Sequence, residues 1–281
     1  MQIPDEIRKC TSFACFKDKE GRINLGGTVF WVIVSPKEVD YHFGYLVTAK
    51  HVIENIKEKS VDGRVLIRIN VKEGTPKFVA IDTSAWLYHL TDSSVDVAVF
   101  PIWLSQDEYD HIPITVGMAA TEEVIKENEI GVGDEVFLTG LFVNHCGIKR
   151  NLPIVRVGNI ALMPEEPVQT ELGPIDAYLV EARSIGGLSG SPVFVNLGAS
   201  RVFGNKTKFA GGKIYFWLGL MHGHFGVPKQ HEDDVATGLL SKEVVNMGIA
   251  IVVPVTKILE VINQDSLVKA REKIIAEKLT K

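Results

Sequence analysis

The sequence predicts an all-β barrel or sandwich, with helix confined mainly to the C-terminus. Short runs rich in Val, Ile, Phe, Tyr and Trp succeed one another along most of the chain, and these residues suit a pleated, half-buried surface. Gly and Pro punctuate the gaps, as in Gly26-Gly27, Ser35-Pro36, Gly131-Val132-Gly133-Asp134 and Gly186-Gly187. Helical patterns do not alternate regularly with these runs, as a parallel α/β sheet would require.

In chain order, strands are expected at 28–34, 45–48, 65–71, 95–102, 135–142, 154–162, 178–182, 192–195, 214–221 and 249–254. Residues 121–126 read as a short helix between two halves of the protein. The polar run Lys229-Gln230-His231-Glu232-Asp233-Asp234 reads as an exposed loop. After Pro254 the period changes: Thr256 can cap a helix that places Ile258, Leu259 and Ile262 on one face. A second helical stretch, 266–281, sets Leu267, Ala270, Ile274 and Leu279 among charges. There is no internal repeat and no low-complexity tract.

The 281 residues suffice for one large or two small globular units with a sizeable core. A formal net charge of -5, with Lys and Arg scattered except near 269–281, gives no reason to expect nucleic acid or an anionic membrane as partner. No apolar run reaches the roughly 18 to 20 residues that span a bilayer, and the charged N-terminus does not read as a signal peptide. Three cysteines, Cys10, Cys15 and Cys146, are too few for a disulfide framework. Cys10 and Cys15 can bridge each other, but free, partly buried thiols in a reducing compartment are the favoured reading. The expected location is therefore the cytoplasm.

Three local patterns carry chemistry. In Tyr45-Leu46-Val47-Thr48-Ala49-Lys50-His51-Val52, an apolar strand ends in a small-residue turn bearing a histidine. A general base must be held rigidly yet reach a cleft, and this position meets that need; taken alone, it is equally a surface or core histidine. In Ser93-Ser94-Val95-Asp96-Val97-Ala98-Val99-Phe100, alternation places Asp96 with Ala98 and Phe100 on one strand face. A carboxylate there needs a partner and can orient an imidazole; the alternative is an Asp capping a turn with Ser93 or Ser94. In Ser184-Ile185-Gly186-Gly187-Leu188-Ser189-Gly190-Ser191-Pro192, glycines permit a sharp turn and close approach of a substrate. The N–H groups of Gly187 and Ser189 can converge there on a developing oxyanion. By itself, such a run is also a flexible Gly/Ser loop.

Together the three resemble the chymotrypsin-like (trypsin-like) serine protease family. Thr48-Ala49-Lys50-His51 looks like its T-A-x-H, Asp96-Val97-Ala98-Val99 like its D-[IV]-A-[LV], and Gly187-Leu188-Ser189-Gly190-Ser191-Pro192 like the G-x-S-G-[GS]-P of its bacterial-type branches. The order His, Asp, Ser is also that family's, whereas an α/β-hydrolase runs Ser, acid, His. The resemblance covers about residues 10–263 and implies two six-stranded antiparallel β-barrels with the site between them. It divides the chain into a first barrel (1–115) carrying His51 and Asp96, a second (116–254) carrying Ser189, and a helical segment (255–281). The segment 196–212 reads as an extra hairpin on the second barrel.

The implied catalytic set is His51, Asp96 and Ser189, with Gly187 and Ser189 as the oxyanion hole and no metal or cofactor. Leu220, Met221, His222 and Gly223 resemble the edge strand along which an extended protein or peptide substrate lies. Arg183 aligns with the base of the primary pocket, where it would favour an acidic side chain; a structural ion pair is the preferred alternative. His222 and His224 flank that edge strand as substrate contacts or plain strand residues; a metal site built from them and a third ligand is the disfavoured alternative. Leu188 stands where secreted digestive members carry an Asp, and no Arg/Lys-Ile-Val-Gly-Gly activation site appears near the start, so activity from the outset or gating by a partner, oligomerisation or loop ordering is expected. The competing reading is a catalytically silent module that binds a partner peptide.

Overall fold

A computed structural model of the protein describes residues 2–170, 173–182, 186–203, 206–209, 214–228 and 244–280. Helix α1 (Asp5–Arg8) leads into β1 (Thr11–Lys17), β2 (Ile23–Val34), β3 (Phe43–Thr48), α2 (Lys50–Lys59), β4 (Arg64–Ile69), β5 (Lys77–Asp82), β6 (Leu87–Tyr88), β7 (Ala98–Pro101) and β8 (Ile114–Thr115). These strands make an eight-stranded sheet in the order β5-β4-β1-β2-β3-β7-β6, with β8 added in parallel to β2. Helix α3 (Glu122–Asn128) leads to the second half.

There β9 (Glu135–Gly140), β10 (Ile154–Leu162), β11 (Val168–Thr170), β12 (Gly173–Ile175), β13 (Tyr178–Glu181), β14 (Pro192–Asn196), β15 (Ser200–Phe203), β16 (Lys206–Phe209), β17 (Tyr215–Pro228) and β18 (Val244–Pro254) follow. Six of them close an antiparallel barrel in the order β10-β13-β18-β17-β14-β9, and β11-β12 and β15-β16 form two-stranded ribbons. Helices α4 (Val255–Ile262) and α5 (Asp265–Leu279) complete the chain. The predicted all-β class with a C-terminal helix is the class observed, but of the two six-stranded barrels expected only the second has six strands. The second barrel is closed by hydrogen bonds; the first half is a broader sheet.

Burial explains why the strands read as they do. β2 is central and is buried from Gly27 to Val32, so its sequence is continuously apolar rather than alternating. β4 lies farther out and alternates, with Val65, Ile67 and Ile69 inward. One apolar cluster joins Phe30 and Trp31 of β2 to Phe137, Phe194 and Trp217 of the barrel and to Ile258 and Ile262 of α4. Phe30 meets Trp217 edge-on, ring centres 5.6 Å apart. α5 is fastened by Arg271, which donates to the Tyr45 hydroxyl at 2.7 Å and the Ile262 carbonyl at 2.8 Å.

Several local expectations need correction. Asp96 is not a strand residue: β7 begins at Ala98, and Val95 through Val99 are all buried without alternation. Thr256 does not cap α4, which starts at Val255 after Pro254. The three cysteines are unbridged, with Cys10 and Cys15 buried. Among the described residues, no helix is long and apolar enough to cross a membrane.

Candidate active site

His51 sits in the first turn of α2, which starts immediately after β3. Ala49 precedes that turn in an extended conformation and supplies no side-chain cap. The exposed backbone N–H groups of a helix start need acceptors from elsewhere, and Asp96 provides one. Its Oδ1 accepts the His51 backbone N–H at 2.9 Å, while its Oδ2 accepts from His51 Nδ1 at 2.7 Å. Asp96 thus fixes both the helix start and the imaginable swing of the ring it orients. Buried Val52, Ile53 and Ile56 hold the inner face of α2 against the sheet. The turn-capping role considered for Asp96 belongs instead to Asp92, whose Oδ1 accepts from the Ser94 N–H at 2.9 Å.

Asp96 carries a second imidazole. His222, on β17, places Nδ1 2.5 Å from the same Oδ2. The two rings stand 5.4 Å apart, nearly perpendicular. Asp96, His222 and His51 side chains are 1%, 10% and 22% exposed, so the carboxylate is sealed while His51 opens toward solvent. Burial by itself raises the Asp96 pKa, but hydrogen bonds from His222 and His51 outweigh it and hold the carboxyl well below the usual range. An ionised carboxylate has no proton to give, so each Nδ1 contact is an N–H donating to Oδ2.

Ser189 occupies a turn pinned from three sides. The Thr28 N–H donates to the Ser189 carbonyl at 3.0 Å, the Thr28 hydroxyl to the Gly187 carbonyl at 2.8 Å, and the Gly190 N–H to the Met221 carbonyl at 2.8 Å. Gly190 has φ +82°, and an added Cβ would lie 2.3 Å from both the Thr28 carbonyl and the Thr48 hydroxyl. Only glycine satisfies that conformation and that space. Gly187 also lies in the left-handed region, at φ +97°. Ser189 Oγ donates to the His222 carbonyl at 3.2 Å; among the described residues no hydrogen bond joins it to His51. The structure therefore brings His51, Asp96 and His222 into direct contact and attaches Ser189 through the His222 backbone.

The remaining expected residues divide. Leu220 and Met221 are fully buried and committed to the barrel, Leu220 opposite Pro192 and the Met221 N–H on the Ser191 carbonyl at 2.8 Å. Pairing of β17 with β14 ends at Leu220, so an open edge can begin only at His222 and Gly223. Arg183 lies outside the described residues. His224 is exposed and makes no part of the Asp96 cluster. Sequence reasoning placed His222 beside substrate and missed its bond to Asp96, 126 positions away in sequence. It also passed over Thr28, whose signal was a hydroxyl inside a buried apolar strand.

No family model matches the chain, and no curated protein matches it. Among solved structures, the chain is similar to the protease domain of MamO from Magnetospirillum magneticum in its apo form, at 13% identity and TM-score 0.47, covering 90% of this chain and 96% of that one. It is also similar to an inactive serine-to-alanine mutant of Rv3671c from M. tuberculosis, at 13% identity and TM-score 0.41, covering 92% and 87%. A third is a scabies mite inactivated protease paralogue, at 13% identity and TM-score 0.37, covering 75% and 91%.

Proposed function

We propose that the chain is a serine endopeptidase acting through Ser189, His51 and Asp96, with limited, regulatory cleavage of extended protein segments inside the cell. What supports it is one junction: a buried, ionised Asp96 holding His51 Nδ1 at 2.7 Å, beside a glycine-framed serine tied to the neighbouring strand. With Nδ1–H committed to Asp96, the His51 Nε2 lone pair is the free base. In turnover Ser189 releases the His222 carbonyl, gives its proton to His51 Nε2 and attacks the substrate carbonyl. Asp96 stabilises the imidazolium, which then protonates the leaving amine; water hydrolyses the acyl-enzyme by the reverse proton path. The N–H groups of Gly187 and Ser189 are the donors for the oxyanion. An extended peptide would pair with the β17 edge from His222 onward. Leu188, buried beside the nucleophile, offers no carboxylate to pair with a cut N-terminus, so the enzyme is active as made or gated by a partner, oligomerisation or loop ordering.

A fluorophosphonate probe tests this. Labelling of the wild type that disappears in Ser189→Ala, together with cleavage of an unstructured protein, is the expected result. The silent peptide-binding reading draws on the Ser189 hydroxyl resting on a carbonyl instead of an imidazole. A folded wild type that never labels, yet retains peptides, would favour it.

A further inference from the structure

His51, Asp96 and His222 offer two imidazole nitrogens and one carboxylate oxygen, all within 4.8 Å of one another. We infer that these three residues form a zinc-binding site, and that zinc there shuts off the base. Each ligand comes from a different, firmly seated place: the first turn of α2, the segment ahead of β7, and β17. Around a tetrahedral zinc with bonds of about 2.0–2.2 Å, ligand atoms stand roughly 3.4 Å apart. Oδ2 now lies 2.5 Å from His222 Nδ1 and 2.7 Å from His51 Nδ1, so shifts of under about 1 Å would admit the ion. Two imidazoles and a carboxylate select zinc-like cations over magnesium or calcium, which prefer all-oxygen sets. Three protein ligands leave a fourth position of the tetrahedron for water.

The proton balance gives the consequence. In the metal-free site each neutral ring carries its proton on Nδ1 and donates it to Asp96. When zinc takes both Nδ1 lone pairs, those two protons leave and each ring is reprotonated at Nε2. Each imidazole stays neutral, Asp96 stays ionised, and no electron moves. His51 Nε2–H then has no lone pair for the Ser189 proton. This consequence rests on the proposed protease function; the binding site does not.

The test is calorimetric titration of chelator-treated, full-length protein with Zn2+, beside fluorophosphonate labelling. Wild type and Ser189→Ala should bind one equivalent. His222→Asn, which keeps an N–H donor for Asp96, should bind about 100-fold or more weakly, as should His51→Asn from the opposite element. No binding by wild type, or undiminished binding in a folded Asn variant, would overturn the site. Saturating Zn2+ should stop labelling of Ser189, and chelator should restore it; undiminished labelling with zinc bound here would overturn the inhibition. Zinc binding lost in the Asn variants, with no labelling of the zinc-free wild type, would sustain the site and remove the protease function instead.

Discussion

Asp96 has three N–H donors on two oxygens: the His51 backbone, the His51 ring and the His222 ring. Removing such a buried group differs from muting it. Asp96→Ala leaves two imidazoles and a helix N–H without their acceptor, and breaking a buried pair of this kind costs about 3–5 kcal/mol. Asp96→Asn keeps the shape but can turn an amide N–H toward a ring nitrogen that was itself a donor. The ring is then driven to the tautomer with its proton on Nε2, and under the proposed function turnover should fall by about 10⁴-fold. Stability should fall far less than in Asp96→Ala. Guanidinium midpoints and labelling rates measured on both variants check the split; equal midpoints would contradict the capping role of Asp96.

At the scale of elements, β2 is the girder of the site. The Thr28 hydroxyl accepts the Leu141 N–H at 2.9 Å and donates to Gly187, and the Thr28 carbonyl accepts the Thr48 hydroxyl at 2.7 Å. Thr28→Val preserves volume and strand preference but strands a buried N–H and frees the Gly187 carbonyl. We expect about 1–3 kcal/mol of destabilisation, with slower labelling of Ser189 than of wild type at temperatures where both are folded; unchanged labelling would remove Thr28 from the positioning of the turn. Patterns of apolar residues made β2, β3, β9, β10 and β18 legible in sequence. They did not reveal α2, although Val52, Ile53 and Ile56 fall at helical spacing, because those three stand alone among the polar residues Lys50, His51, Glu54, Asn55 and Lys57 of a short helix. β1 was overlooked because Thr11-Ser12-Phe13-Ala14-Cys15-Phe16 is buried on both faces and shows no period. His51, Asp96 and Ser189 were legible because each sits in a local motif. The His222–Asp96 bond was not, since strand register decides which side chains meet across the cleft.

Across the whole molecule, one core binds both halves, with Phe30 against Trp217 at its centre, so loss of packing in either half reaches the site. The apolar clusters also enclose acids that ionise poorly. Burial pushes the Cys15 thiol up to about 12, against a smaller opposing pull from Arg68, and pushes Cys10 higher still. Burial likewise raises Tyr88 and Tyr178 to about 12. The unfolded chain releases these protons from about pH 8.5 for thiols and about pH 10 for phenols, whereas the native state keeps them. Native protein then holds more protons than unfolded, so stability falls as pH rises. The contribution is complete below about pH 8.5 and is lost progressively toward pH 12. Guanidinium midpoints should therefore drop steadily between pH 8 and 10.5, with the early part of the fall carried by thiols. Cys10→Ala/Cys15→Ala should start from a lower midpoint, having lost packing, yet decline less between pH 8 and 9.5. A double variant as steep as wild type over that interval would place the alkaline sensitivity elsewhere.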